Sequence, residues 1–472
     1  MTTIIRPPGP PGLPFFGTMF QSMRDPLGFP MRNYRRYGEI VSSFFPGVRG
    51  VGMYGAAANR FILVDAVDNF LVAPLIDRLH ARWLVGQGVL FIDEPAHKQQ
   101  RRLILPAFHR KRLDGYQTTM VELTAAMLDR WPLGRPLDVV RAMHLLALEI
   151  AGRTLFQMDL SGDSNALSSA VAALVASLGS VLQLGLAQLP FDVPGGLGYG
   201  GSVRRGLTRI DAVLGAIIAR HEQEGEDTGD VVSMLVAARD EAGDRLSPRQ
   251  VRDHLLTLFV AGHETSANAL AWALYMLAQY PAVTRKLLAE LDHELHGAAP
   301  TMADLDRLPY LEQVTKEVLR LYPPAPTAMR TAREAFEWQD YRLPAGTVVF
   351  YSPFVSHRMP DAFPEPLAFR PERFDPAAAA KIAPYAYIPF AAGPRSCIGA
   401  PFAMLEIRTV LAMILQRFRL DLLAGQTVEM TLHTTLQPKY PILMRPVPQD
   451  RHTTRSPAAV RGNVPAATPG PA

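Results

Sequence analysis

Three observations predict a mainly α fold with small β-sheets. From about Pro26 to Leu295 most segments place apolar residues at helical period. Strand-like runs are short and fall towards the two ends of the chain. Finally, 472 residues with 48% hydrophobic and 19% charged content suffice for one large buried core.

The elements follow in order. Met1 to Arg6 leads into the proline-glycine run Pro7 to Pro14 and then Phe15-Phe16-Gly17, with neither a signal-peptide core nor an N-terminal anchor visible. Glu39 to Tyr54 reads as strand, and Leu137 to Phe156, Leu207 to His221 and Val231 to Asp240 read as helices. Asn165 to Phe191 is uncharged and long enough to cross a bilayer, yet its serines, glutamines and glycines favour buried or half-buried helices.

The longest helix starts at Ser247-Pro248-Arg249-Gln250, where serine caps, proline takes the first turn and glutamine completes a capping box. It runs to Tyr280, roughly 50 Å, and must cross the interior. After Ala332 short strands return, as in Thr347 to Ser352 and Val428 to Leu436. No repeat or flexible linker interrupts the chain. A proline-rich lead (1–24), one domain (25–448) and a disordered Pro/Ala-rich tail (449–472) are therefore expected.

Composition excludes several functions. One cysteine leaves no disulfide framework, multi-cysteine zinc site or cysteine-ligated iron–sulfur cluster, so only single-thiolate chemistry stays open. Against 44 acidic residues, 48 Lys and Arg give a net charge of +4, too mild and dispersed to imply nucleic acid as a partner.

Four motifs carry chemistry. Ala261-Gly262-His263-Glu264-Thr265 sets a glycine and an acid in the middle of the long helix, at a local cost of about 1 kcal/mol for the glycine alone. Gly262 either opens the helical ladder beside a ligand, with Glu264 and Thr265 relaying protons, or marks a kinked helix with a salt-bridged glutamate. Phe390-Ala391-Ala392-Gly393-Pro394-Arg395-Ser396-Cys397-Ile398-Gly399 puts the lone cysteine in a Gly/Pro loop before a helix. There Gly393 and Gly399 permit close approach of a flat ligand and the helix N-terminus favours a thiolate; an inert buried cysteine is the bland alternative. Glu317 and Arg320 form an i,i+3 pair that is ordinary by itself, and Pro371-Glu372-Arg373-Phe374 follows about fifty residues later.

Together the cysteine loop, the AGHET helix, the Glu317/Arg320 pair and the PERF run resemble the cytochrome P-450 superfamily from the Pro7 to Pro14 hinge to about Pro446. The resemblance implies a prism-like helical core with the long helix over haem b. It makes Cys397 the thiolate ligand of the haem iron, with Phe390, Gly393 and Gly399 shaping its loop. Glu264 and Thr265 become the proton-delivering acid–alcohol pair, and Ala261-Gly262 a helix distortion that makes room for dioxygen. Glu317, Arg320 and Arg373 become a structural triad. Partners for the haem propionates would be His97, Arg101, Arg330 and Arg395, His97 standing where the family often has tryptophan.

The same resemblance implies a hydroxylating or epoxidising monooxygenase, and the uncharged Asn165 to Phe191 stretch, aligned with the family's substrate-entry helices, suggests an apolar substrate, a fatty acid, terpenoid or similar lipid-like molecule. O2 is the co-substrate, and NAD(P)H electrons arrive through a separate ferredoxin- or flavodoxin-type donor. The basic run His109-Arg110-Lys111-Arg112, with Lys98 and Arg102, is either that donor's docking face or a solvated helix end. Approximate position suggests Leu90, Phe91, Phe259, Ala261, Thr327 and Ala328 as pocket residues. A cytoplasmic location with no transmembrane anchor is expected. Retention of Glu264-Thr265 weighs against a peroxide-driven or rearranging haem-thiolate enzyme and against a haem protein that only binds or senses an apolar ligand.

Overall fold

The computed structural model describes residues 6–45, 48–78, 81–157, 192–193, 198–224, 229–239, 243–452 and 460–464. The elements that position the site are, in chain order, β1 (Ile40–Phe45), β2 (Val48–Met53), β3 (Phe70–Leu71), α1 (Ala96–Ile104), α2 (Arg110–Asp129), α3 (Val139–Phe156), α4 (Gly200–Glu224), α5 (Val231–Ala237), α6 (Pro248–Gln279), α7 (Pro281–Leu295), α8 (Pro309–Leu321), β4 (Ala328–Ala332), β5 (Val348–Tyr351), α9 (Ala400–Arg417), β6 (Phe418–Leu422) and β7 (Leu443–Pro448). The mainly helical expectation holds. The uncharged stretch Asn165 to Phe191 lies outside the described residues, and among those described no helix is long and apolar enough to cross a membrane.

Helix α6 has 32 residues, about 48 Å, and begins where its caps dictate: Gln250 N donates to Ser247 Oγ at 3.3 Å and Ser247 N to Gln250 Oε1 at 2.9 Å. It packs along α3 and against α8 and α9, and its second half is buried almost all round. There Trp272 stacks on Tyr322 with centroids 4.3 Å apart. Helix α3 starts two residues later than its period suggests, because Leu137–Asp138 pairs with β7 and the Asp138 side chain caps the backbone N–H groups of Val140 and Arg141.

The larger sheet has the order β1-β2-β5-β4-β3. Ile40 pairs with Met53, Val348 runs parallel beside Gly50, and Val349 faces Arg330. This sheet has its own apolar cluster, including Val51, Phe70, Val349 and Ile388, beside the large helical core. Ile388 matters because the cysteine loop starts two residues beyond it.

One organisational expectation is corrected. The tail after Gln449 is partly docked: Val428 N donates to Arg461 O at 2.8 Å, Asn463 bonds the backbone of Met430, and Val460 and Val464 pack on the core. The two valines remove apolar surface from water there, alongside those hydrogen bonds.

Candidate functional site

The cysteine loop is built by its backbone. Cys397 N donates to Phe390 O at 2.9 Å, Ser396 N to Gly393 O at 3.0 Å, and Ala391 N to Ile388 O at 3.1 Å. Gly393 has φ +67°, and a Cβ there would stand 2.1 Å from the Leu63 carbonyl oxygen, so only glycine fits. Cys397 is reached by solvent although it lies deep among protein atoms. That surrounding burial pushes its thiol pKa up, while the Gly399 N–H, the Arg101 guanidinium and the Ala400 N–H at the start of α9 pull it down.

Beside the thiol a cationic fringe gathers from three separate parts of the chain. Arg101 on α1 donates to Ser396 Oγ at 3.3 Å. Arg395 donates to Asp93 Oδ1 at 2.9 Å and to Ile92 O at 2.8 Å. Arg330 on β4 reaches Tyr351 Oη at 3.4 Å and the Met329 carbonyl oxygen at 2.8 Å. Burial first, then the neighbouring charges of Arg330 and Arg101, lower the Arg395 pKa against the opposing pull of Asp93 and Glu94. His97, one helical turn before Arg101, is buried and bonded through Nδ1 to Glu94 Oε1 at 2.7 Å. Burial holds it below the usual histidine range, with Arg395 and Arg101 adding to the effect. Arg101, Arg330 and His97 are thus all brought within electrostatic reach of Arg395.

On α6 the structure departs from expectation. The helix is unbroken through Ala261-Gly262, so the helical ladder does not open there; instead Thr265 Oγ1 donates to Ala261 O at 2.8 Å. Ala261 is exposed in the middle of this otherwise well-buried helix. Nor is Glu264 salt-bridged among the described residues: it is buried, its partner is the Thr435 hydroxyl, and burial raises its pKa. Thr435 in turn accepts from Asn268 Nδ2 at 3.1 Å, and Asn268 Oδ1 lies 3.0 Å from His144 Nε2.

The acid–base pair on α8 is fully buried. Arg320 Nε meets Glu317 Oε2 at 2.7 Å, and its remaining donors reach the carbonyl oxygens of His357, Pro366 and Ala368. Glu317 also accepts from Arg370 N and from Arg373 Nε at 2.8 and 3.3 Å. His357, which sequence reasoning missed, joins this knot to the cysteine loop by accepting from Ile388 N at 2.9 Å through Nε2. Burial and the Arg320 charge hold its imidazole well below the usual range, so it is neutral and able to accept. Also missed was Glu406 on α9, fully buried beside Ser266 of α6, with a carboxyl pushed up to about 8 by burial. No local pattern marks either residue, because their partners lie far away in sequence.

The approximate pocket residues separate. Leu90 and Thr327 are exposed, Phe91 and Ala328 half-buried, and Phe259 is in the core, edge-on to Phe156 at 5.4 Å. Among the basic residues, Lys98, Arg102 and Lys111 are exposed, while Arg110 is paired with Asp306 at 2.8 Å.

A single thiol at a helix N-terminus with a cationic fringe beside it fits an iron porphyrin, which needs one soft axial ligand and partners for two carboxylates. Comparison with known proteins agrees. Residues 7–446 match the family model described as Cytochrome P-450. The chain is 34% identical to cyclooctatin synthase of Streptomyces melanosporofaciens, over 89% of this chain and 91% of that one. Cyclooctat-9-en-7-ol 5-monooxygenase of the same organism is also 34% identical, over 89% and 90%. Pentalenene oxygenase of Streptomyces avermitilis is 29% identical over 88% and 92%. Among solved structures, retinoic-acid-bound cyanobacterial CYP120A1 superposes with a TM-score of 0.85 at 28% identity, covering 94% of this chain and all of that one.

Proposed function

Because the chain belongs to the cytochrome P-450 family of haem monooxygenases, we propose that it inserts one oxygen atom of O2 into an apolar, terpenoid-like substrate, by hydroxylation or epoxidation, using electrons from a separate redox protein. The observation that carries this reading is Cys397, solvent-reached at the start of α9 beside Arg101, Arg330, Arg395 and His97. Those four residues would hold the carboxylates of haem b, and Cys397 its iron. When bound, the haem supplies dioxygen activation and accepts the two electrons that reduce one oxygen atom to water.

The chain's own residues do the rest. The Gly399 and Ala400 N–H groups and Arg101 favour the thiolate form of Cys397. Glu264 keeps its proton to higher pH than an ordinary glutamate, which suits a group that must give one up near neutrality. It stands about 100° round the helix from Thr265, so it delivers by swinging from Thr435 towards the Thr265 hydroxyl. Glu317, Arg320 and Arg373 hold the framework behind the loop. Lys98, Arg102 and Lys111 project from α1 and α2 and would attract an acidic ferredoxin or flavodoxin fed by NAD(P)H.

Support for the substrate class comes from the relatives' names, which specify pentalenene and cyclooctat-9-en-7-ol, and from the retinoic acid bound by the structural neighbour. All three are largely hydrocarbon.

The test starts with the reduced, CO-bound difference spectrum. A strongly red-shifted Soret band should appear in wild type and vanish in Cys397→Ala; a histidine-type spectrum would overturn the reading. Terpenoids should then shift the spin state and be converted only with reductant and O2. Turnover on peroxide alone would favour the peroxide-driven alternative. Glu264→Gln should lower product formation by about 10²–10⁴ while reductant is still consumed, measured as product per electron pair.

A further inference from the structure

Large apolar side chains are exposed together at the N-terminal end. Phe15 is 88% exposed, and Leu13, Phe16, Phe20 and Met23 between 41% and 55%. They sit on a tightly tied loop and the short helix after it. Ser42 N donates to Pro8 O at 2.7 Å, while Thr18 donates through N and Oγ1 to Phe44 O at 2.7 and 3.0 Å. Residues 8 and 18 are therefore fixed to points on β1 two positions apart, roughly 7 Å. At the tip Leu13 and Gly17 exchange both backbone hydrogen bonds, at 2.9 and 2.8 Å. Phe15 there holds φ +61°, a left-handed conformation that is costly for an aromatic residue. Its ring is turned to water, and among the described residues no ring contact offsets that strain.

Next to this loop runs a groove whose wall includes Arg6, Arg49 and Arg342, with Ser42 and Phe44 of β1, and no carboxylate. Among the described residues Arg6 and Arg49 have no ion-pair partner, and that of Arg342 is Glu337 at a distant 4.0 Å. Residues 1–24 contain Arg6 and Arg24 and no acidic residue.

We propose that this face docks the protein peripherally on an anionic lipid bilayer, with Leu13, Phe15 and Phe16 entering the boundary between headgroups and acyl chains and Arg6, Arg49 and Arg342 meeting headgroup phosphates. Aromatic rings flanked by cationic side chains suit that boundary, and binding there is strengthened when apolar and basic signals combine. Shape and area disfavour a second copy of the chain. The patch projects from a loop tip and offers only about 500 Å² of apolar surface, from aromatic side chains of ~150–250 Å² each, against roughly 800 Å² per partner in a stable protein interface.

The experiment is co-sedimentation of the full chain with phosphatidylglycerol-containing vesicles and with vesicles of phosphatidylcholine alone. Wild type should bind the anionic vesicles and bind the neutral ones much less, with affinity falling as salt rises. Phe15→Ser combined with Phe16→Ser, and separately Arg49→Glu combined with Arg342→Glu, should each weaken binding at least about tenfold. Phe15→Gly guards against a folding artefact, because glycine accepts the positive φ: it should bind less while its thermal midpoint is unchanged or higher. No binding by wild type, equal binding by the variants, or a concentration-dependent dimer abolished by Phe15→Ser would overturn the proposal.

Discussion

At Gly393 the backbone holds φ at +67° with the Leu63 carbonyl where a side chain would begin, whereas a Cβ at Gly262 would meet only Leu155 Cδ1 at 3.7 Å. Gly393→Ala should therefore cost at least about 2 kcal/mol and loosen the cysteine loop, read by denaturant unfolding and retention of haem. Gly262→Ala should instead stabilise by about 0.5–1 kcal/mol, because α6 is continuous there and alanine is the better helix former. A destabilised Gly262→Ala would mean that the helix does open at that point. The glycine of the AGHET run and the glycine of the cysteine loop look alike as letters, and only their surroundings separate them.

Helix α8 carries a charged pair that the sequence presents as an ordinary i,i+3 contact and the fold makes fully buried. Removing Arg320 leaves the Glu317 charge with only the longer Arg373 contact at 3.3 Å and the Arg370 N–H. Arg320→Leu takes from Glu317 its shortest cationic partner and leaves three carbonyl oxygens without their donor, so a loss of about 3–5 kcal/mol is expected, with poor haem retention, measurable by urea unfolding followed in the far-ultraviolet. The effect should reach the cysteine loop through His357 and Ile388. By contrast the caps of α6 were legible beforehand, because a capping box needs residues only three apart.

Across the whole molecule, burial of titratable groups sets a pH optimum for stability. Burial holds His97, His144, His254, His263 and His357 below their ordinary 6.5, with His254 and His263 lowered to about 4. Below pH 6.5 the unfolded chain therefore binds protons that the folded chain refuses, and stability falls as pH drops. Glu406 acts in the opposite sense: burial raises it from 4.5 to about 8, so between those values the folded chain keeps a proton that the unfolded one has lost. At pH 6.5 half of the five unfolded imidazoles are still protonated, about 2.5 protons against one on Glu406, so Glu406 dominates only from about pH 7 to about 8. Stability should peak near pH 7 and then decline by up to about 0.5 kcal/mol per unit, a decline that Glu406→Gln should abolish. Denaturant melts from pH 5 to 8.5 measure this, and a steady rise through pH 8 in wild type would contradict it.

The sequence by itself determined the mainly helical class, the long capped helix, the cysteine loop and the family, because each depends on residues within about ten positions or on motifs of fixed spacing. Tertiary structure alone decided which way Glu264 turns, how Arg101, Arg330 and Arg395 converge, that His357 and Glu406 are buried polar groups near the site, and that part of the C-terminal tail is docked. Those outcomes rest on contacts between residues tens to hundreds of positions apart. Burial, which shifts their pKa values and selects their partners, has no local signature in the chain.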